Sequence, residues 1–576
     1  MKTKSSTQDK TENRSLRLWP GVSLAIAMLI ISYVIPKLIP NAEIIGIFGG
    51  LILGLGIIIW WAFFSRAPKI ERWIAIILMI VALFIVSQFN HVSLATGGQG
   101  MMYFIFGIPL LTFLFVIWAV ATKNFSDRLR RISMVLTIIL ASGWWLLIRT
   151  DGITGDFSPD LKWRWSKTAE EELLINHETV TIDPSSLELS INTEPEWPGF
   201  RGPGRDGIIK GIQIETDWKS NGPEEIWRKQ IGPGCSSFAV NGDLLFTQEQ
   251  RGEEELVVCY YMKTGEPVWL HADETRFWDS HAGAGPRSTP TLHGGRIYTL
   301  GATGILNALD ARNGTLTWSR NAIDDADVEH SGWGYSGSPL VINDVVIVAA
   351  VGKLVAYDIE TGNLRWIGPD GGDSYSSPHL LTIDGMEQVL LMSGKGVTSL
   401  NPMNGKVLWT YDLPASSRIV QPAVMDGGEI LISIGDVKGL CRINVSQSSG
   451  EWSVKEVWTS NQLKPNFNDF VVHKGHAYGF NGPLLVCVNL EEGQRMWRGG
   501  RYGGQLILLA DQDLLLILSE KGDLAMVQAN PERFKELARI KAIEGKTWNH
   551  PVMVGDILLL RNTQEMVAYK LSNRAI

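Results

Sequence analysis

ALDARNGTLTW, from Ala308 to Trp318, and AYDIETGNLRW, from Ala356 to Trp366, repeat one pattern: a strand, a glycine turn, and a strand that carries tryptophan. The glycine precedes the tryptophan by four residues in both copies, at Gly314 and Gly362. This spacing suits a tight hairpin whose glycine takes φ > 0 and whose outgoing strand buries the indole. YYMKTGEPVW to Trp269, SLNPMNGKVLW to Trp409, RINVSQSSGEWSVKEVW to Trp458 and CVNLEEGQRMW to Trp497 are further copies, and VQANPERFKEL puts Leu537 in the tryptophan place. Successive tryptophans lie 39 to 49 residues apart, the length of a four-stranded propeller blade.

The two ends of the repeat region complete the count. Glu225 to Trp227 (EIW) is a final strand without its three predecessors, and residues 549 to 570 supply three strands that stop before a tryptophan strand. Pairing the two in one blade gives eight blades and closes the ring, which removes the open edges of a β-array. A solenoid of the same period would need capping ends instead of complementary ones. The 59 glycines and 22 tryptophans of the 576 residues fit a repeated β architecture.

The first quarter of the chain belongs to another solvent. Five apolar runs, Leu18 to Ile39, Glu43 to Phe64, Trp73 to Phe89, Met101 to Ala121 and Ile132 to Ile148, are each long enough to cross a bilayer as a helix. The first lacks a small-residue cleavage site and reads as an anchor. Lys2, Lys4, Lys10, Arg14 and Arg17 precede the first run. Arg66, Lys69 and Arg72 lie between the second and third, and Lys123, Arg128, Arg130 and Arg131 between the fourth and fifth. The other two connections hold only Lys37. Because cationic loops stay in the cytoplasm, the N-terminus is expected there and everything beyond Arg149 outside.

The chain therefore reads as an all-α five-helix transmembrane bundle over 1–150, a polar, acidic linker over 151–196, a turn-rich strap over 197–224 (beginning WPGFRGPGRDG), and an all-β eight-bladed propeller over 225–576. The net charge of -8 comes with no basic stripe, which excludes nucleic acid as the expected partner. Cys235, Cys259, Cys441 and Cys487 occur singly and read as free thiols.

The turn pattern ALDxxTGxxxW resembles the quinoprotein repeat shared by pyrroloquinoline-quinone (PQQ) dehydrogenases and by the lipoprotein of the outer-membrane β-barrel assembly machine. With Trp197 to Gly207, the region 197 to 571 is similar to bacterial PQQ-binding-like β-propeller repeat proteins. The layout of five spans before an eight-bladed propeller also resembles membrane-bound quinoprotein glucose dehydrogenases. The repeat implies a fold and leaves two functions open, because a redox family and a non-catalytic scaffold both use it.

Residues just before each inner strand ring the mouth of the axial channel. Candidates for ligand binding there are Arg287, Tyr335, Tyr375, Arg418, Gln421, Asn468, Asp469, Gln505, Asn549 and His550, beside repeated serines that turn chemistry explains. Asp469 with Asn468 would suit Ca²⁺, and Arg287 and Arg418 would fork onto an anionic quinone. Asp469 is the candidate base of a quinoprotein enzyme. Alternatively, Arg287 and Asp469 pair with each other and plug the channel. Trp227, Trp269, Trp318, Trp366, Trp409, Trp458 and Trp497 are read as structural.

Two functions follow. The first is a membrane-anchored, extracytoplasmic scaffold that binds a protein of the envelope or a small ligand and lies on the inner-membrane bilayer. The second is a PQQ- and Ca-dependent alcohol or sugar dehydrogenase that donates electrons to membrane quinone. The compact blades favour the first; the five-span layout favours the second.

Overall fold

In the computed structural model the chain divides into two compact units, Met1–Ser166 and Lys167–Ile576. The structure describes residues 16–39, 42–155, 158–176, 192–329, 332–413 and 418–572. Lys2, Lys4, Lys10 and Arg14, which carry part of the orientation reading, lie outside them, as do 156–157 and 177–191 of the expected linker.

Among its described residues the first unit contains five helices long and apolar enough to cross a membrane: Trp19–Leu38, Ile44–Phe64, Lys69–Phe89, Met102–Ala121 and Asp127–Leu147. The third and fifth begin earlier than their apolar runs, because the polar turns ahead of them stay helical and join. Glu71 and Arg130, both buried, form a two-pronged ion pair in which Arg130 Nη2 reaches both carboxylate oxygens at 2.7 Å. Glycines at four-residue spacing let the second helix approach its neighbours closely. A Cβ on Gly50 would lie 2.4 Å from Ser32 Oγ, and one on Gly54 would lie 3.1 Å from Thr112 Oγ1.

Part of the stretch expected as linker is ordered. Ile148–Ile153 pairs antiparallel with Pro159–Trp163, anchored by the Thr150 N–H donating 3.0 Å to Ser93 Oγ, and Ala169–Asn176 forms a short helix. Ile148 and Ile153 bury their side chains against Leu94 and Trp145, which is why this segment folds.

The second unit is an eight-bladed propeller. Seven sheets are built from consecutive strands: blade 1 over 239–273, blade 2 over 291–321, blade 3 over 340–367 (Leu340–Ile342, Val345–Ala350, Lys353–Asp358 and Leu364–Ile367), blade 4 over 379–412, blade 5 over 423–460, blade 6 over 471–501 and blade 7 over 505–541. In blade 8, Val552–Val554, Ile557–Arg561 and Glu565–Lys570 are joined by Glu224–Gln230, with Ala568 opposite Trp227.

The tryptophans lock each blade to the next. Trp227, Trp269, Trp318, Trp366, Trp458 and Trp497 each donate an indole N–H, over 2.7 to 3.1 Å, to a carbonyl at the outer turn of the following blade. Five of these indoles lie on the turn glycine of that blade. Gly362 (φ 69°) would bring a Cβ within 2.7 Å of Trp318, and Gly314 (φ 73°) within 2.5 Å of Trp269. The glycine therefore serves the tryptophan of the preceding blade, besides its own hairpin. Two departures have the same cause. Trp409 turns to Gln388 Oε1 at 2.7 Å, because blade 5 replaces the short turn by the long hairpin Leu440–Ser448 and Glu451–Ser460. Leu537 of blade 7 faces blade 8, whose outer two strands come from distant parts of the chain and share no turn.

Candidate functional site

The entry to each inner strand carries a residue that binds its neighbour around the axis. Ser237 N–H donates to Thr289 Oγ1 (3.0 Å), Thr289 N–H to Ser338 Oγ (2.9 Å), and Ser338 N–H to Ser377 Oγ (2.9 Å). The Gln421 amide, turned to satisfy its surroundings, accepts from Ser377 N–H at 2.9 Å. Gln421 N–H donates to Asp469 Oδ1 (2.8 Å), Asp469 N–H to Gln505 Oε1 (3.2 Å), and Ser237 Oγ to the His550 carbonyl (2.7 Å). The serines before proline thus do more than shape turns: they form a girdle linking blade to blade. Asp469 occupies the same position and does the same work with one of its two carboxylate oxygens.

The other oxygen faces the strap. Trp197 exchanges backbone hydrogen bonds with Val240 of blade 1, and the Pro198 carbonyl accepts from Leu292 of blade 2 at 2.7 Å. Arg205 donates to the Ser338 and Pro339 carbonyls of blade 3. The chain then reaches the far side of the ring, where Ile208–Ile209 pairs in parallel with Leu508–Leu509 of blade 7. The strap therefore crosses the channel, and Arg201 and Phe200 reach into it. Arg201 donates 2.8 Å to the Phe470 carbonyl and lies 3.7 Å from Asp469 Oδ2, and Phe200 packs edge-on against the His550 ring at 5.0 Å. His550 Nε2 is 3.1 Å from the same Asp469 oxygen. Arg201 (φ 59°) and Arg205 (φ 52°) both hold left-handed backbone, a strain that packing must enforce.

Arg201 and Asp469 are buried and oppose each other in charge. Burial pushes Asp469 up, but Arg201 and His550 outweigh it and hold the carboxyl below its usual range. Burial pushes His550 down despite its carboxylate partner. It takes His379, beside Arg205 and Arg201, down to about 3, so this imidazole is neutral at physiological pH. Burial, with Arg201 nearby, lowers Arg205 to about 10.

The remaining residues singled out from sequence are dispersed. Arg287 does not meet Asp469; it pairs with Asp279 at 2.6 Å and donates to the carbonyls of Gly283, Ala284 and Gly285. Arg418 donates to the Ser433 and Leu413 carbonyls. Tyr335 lies in the core between blades 2 and 3, its hydroxyl on the Glu329 carbonyl, and Tyr375 stacks near Trp333 at 4.9 Å. Asn468 donates to the Gly503 and Gly504 carbonyls, and Asn549 to those of Gly234 and Ser236. Gln505 Nε2 returns to the Phe467 carbonyl. Sequence reasoning found Gln421, Asp469, Gln505 and His550 and missed Thr289, Ser338, Ser377 and Arg201; the first three of these stand two, three and two residues after Arg287, Tyr335 and Tyr375.

These residues do not fit a quinone held by a cation. Both Asp469 oxygens are engaged by protein groups. The terminal nitrogens of Arg287 and Arg418 are spent on carbonyls and Asp279. No cluster of three or more His, Cys, Asp or Glu suited to a metal occurs among the described residues.

Beside the strap a groove of about 930 Å³ opens over blades 4 to 6, lined among others by Leu380, Val424, Asp426, Val472 and Glu491.

The family model described as outer membrane protein assembly factor BamB matches residues 215–369 and 270–499. The chain carries a PQQ-repeat β-propeller. The assembly factor BamB of Moranella endobia is 22% identical over 258 residues, 42% of this chain and 64% of that protein. The chain thus spans just under two thirds of that relative. BamB of Yersinia pestis is 25% identical over 334 residues, 52% of this chain and 80% of that one. Among solved structures, BamB from Moraxella catarrhalis is 16% identical, with 62% of this chain and 99% of that one covered at a TM-score of 0.46. The quinohemoprotein alcohol dehydrogenase ADHIIG from Pseudomonas putida HK5 is 14% identical, with 66% and 81% covered at 0.48. In this PQQ-repeat propeller the protein's own strap crosses the channel.

Proposed function

We propose that the protein is a membrane-anchored scaffold whose propeller binds another protein outside the cytoplasm. The Arg201–Asp469 pair carries this reading: the axial position that a dehydrogenase would use for cofactor chemistry is committed to holding the strap. The curated relatives are named for a role in assembling outer membrane proteins, which agrees with a propeller that works through its surfaces. The cationic connections Arg66 to Arg72 and Lys123 to Arg131 support a cytoplasmic N-terminus and an inner-membrane anchor. The dehydrogenase alternative would need Arg287, Arg418 and Asp469 to abandon their present partners, and buried charges deprived of partners cost several kcal/mol each.

A photoreactive amino acid placed at the exposed Trp333 and at the exposed Met496 tests the reading in cells. A discrete protein adduct at either position is expected. Absence of any adduct at both, with the protein correctly inserted, would count against a scaffold.

A further inference from the structure

The strap shows how this propeller holds an extended chain. Val240, Leu292 and Leu508 each stand three residues after a girdle residue, and each points its N–H inward to a strap carbonyl: Trp197 at 2.8 Å, Pro198 at 2.7 Å and Gly207 at 2.9 Å. The consecutive carbonyls of Trp197 and Pro198 thus serve the adjacent blades 1 and 2. The equivalent residues of blades 4, 5 and 6 are Leu380, Val424 and Val472, three after Ser377, Gln421 and Asp469. All three line the groove, and no strap carbonyl meets them among the described residues. Val472 sits one pair before a two-residue hairpin, opposite Ala477, the same register as Val240 opposite Leu245 and Leu292 opposite Ile297. Its N–H therefore faces the groove, as theirs face the strap.

We infer that this groove is the docking site for an extended, basic-ended peptide segment of a partner protein, which crosses blades 4 to 6 as the strap crosses blades 1 and 2. This inference rests on the scaffold reading and names its surface. The inward N–H groups supply donors for successive peptide carbonyls, a backbone mode of recognition that tolerates varied sequence. Val424 and Met496 give the groove apolar contact, both more than a third exposed. Asp426 and Glu491 stand exposed on its rim, whereas its cations are committed: Arg442 to Glu429 and Arg201 to Asp469. The free charge on the rim is therefore acidic, which selects a basic segment and repels an acidic one.

The test uses the full chain in nanodiscs and a panel of fluorescein-labelled octapeptides with apolar centres and two terminal lysines, read by fluorescence anisotropy. Saturable binding is expected, weakened at least tenfold when the lysines are replaced by glutamates. The exposed double variant Asp426→Lys/Glu491→Lys is expected to reverse that preference. Val424→Pro, which removes one donor, is expected to weaken binding of every peptide while leaving the blade-locking tryptophan fluorescence unchanged. Binding that ignores both the rim charges and Val424→Pro would overturn the groove assignment, as would no binding by any lysine-ended peptide. Protein adducts at Trp333 together with a silent groove would leave the scaffold reading standing and sink only the groove.

Discussion

Arg201 reaches from the strap to within 3.7 Å of Asp469 Oδ2, so a residue outside the repeat meets the one acidic member of the girdle inside the channel. Both side chains are nearly fully buried. The pair fixes the strap, and the strap fixes what the channel can hold.

Removing one partner leaves the other charged in a desolvated site. Arg201→Met is expected to destabilise the propeller by roughly 3 kcal/mol or more, and Asp469→Asn in the same chain to recover part of that loss. Thermal unfolding followed by tryptophan fluorescence measures both. Equal melting of wild type and Arg201→Met would show that the pair contributes nothing.

The tryptophan lock makes one glycine far more sensitive than another of similar backbone. Gly362 and Gly555 both have positive φ, 69° and 57°, but a Cβ meets Trp318 at 2.7 Å in the first and open space in the second. Alanine costs about 1 kcal/mol at each from the left-handed backbone, and crowding adds about 1–3 kcal/mol at Gly362 alone. Leu537→Trp is expected to gain no stability, since blade 8 offers no turn to receive it. Comparative melting of the three variants checks the set.

Glu255 gives the propeller a pH signature. Burial pushes it up to about 7, against the Ala302 N–H that donates to its carboxylate at 2.8 Å. The folded chain thus keeps a proton that the unfolded chain releases above its ordinary value of 4.5. Stability is lost as pH rises through that window, and the loss is complete above about 7. Glu255→Gln should melt higher than wild type at pH 8 and show little of that gain at pH 4.5. An identical difference at both pH values would refute the assignment.

In the helical unit, Glu71→Ala strands the buried Arg130 and is expected to cost about 3 kcal/mol or more. Exchanging the two residues should restore part of it, as read by thermal unfolding in detergent. A harmless Glu71→Ala would mean the two helices are held by packing alone.

The blades were legible because tryptophan and glycine recur at a fixed spacing, and the spans because their apolar runs are long. The early starts of the third and fifth helices were hidden, since only the pairing of Glu71 with Arg130 explains charged turns there. The girdle was legible in part: Gln421, Asp469, Gln505 and His550 are among the candidates the sequence offers, whereas in the other blades Arg287, Tyr335 and Tyr375, two or three residues earlier, look chemical and the serines that link the blades look like ordinary turn residues. Arg201 left no periodic signal at all, because its partner lies in a blade on the far side of the ring.

The most direct measurement is a titration of the purified full chain with PQQ and Ca²⁺, following absorbance and melting temperature. A strap across the channel, with Asp469 committed to Arg201 and His550, predicts no saturable change in either. Saturable binding of the quinone with a raised melting temperature, abolished by Asp469→Ala, would contradict the account.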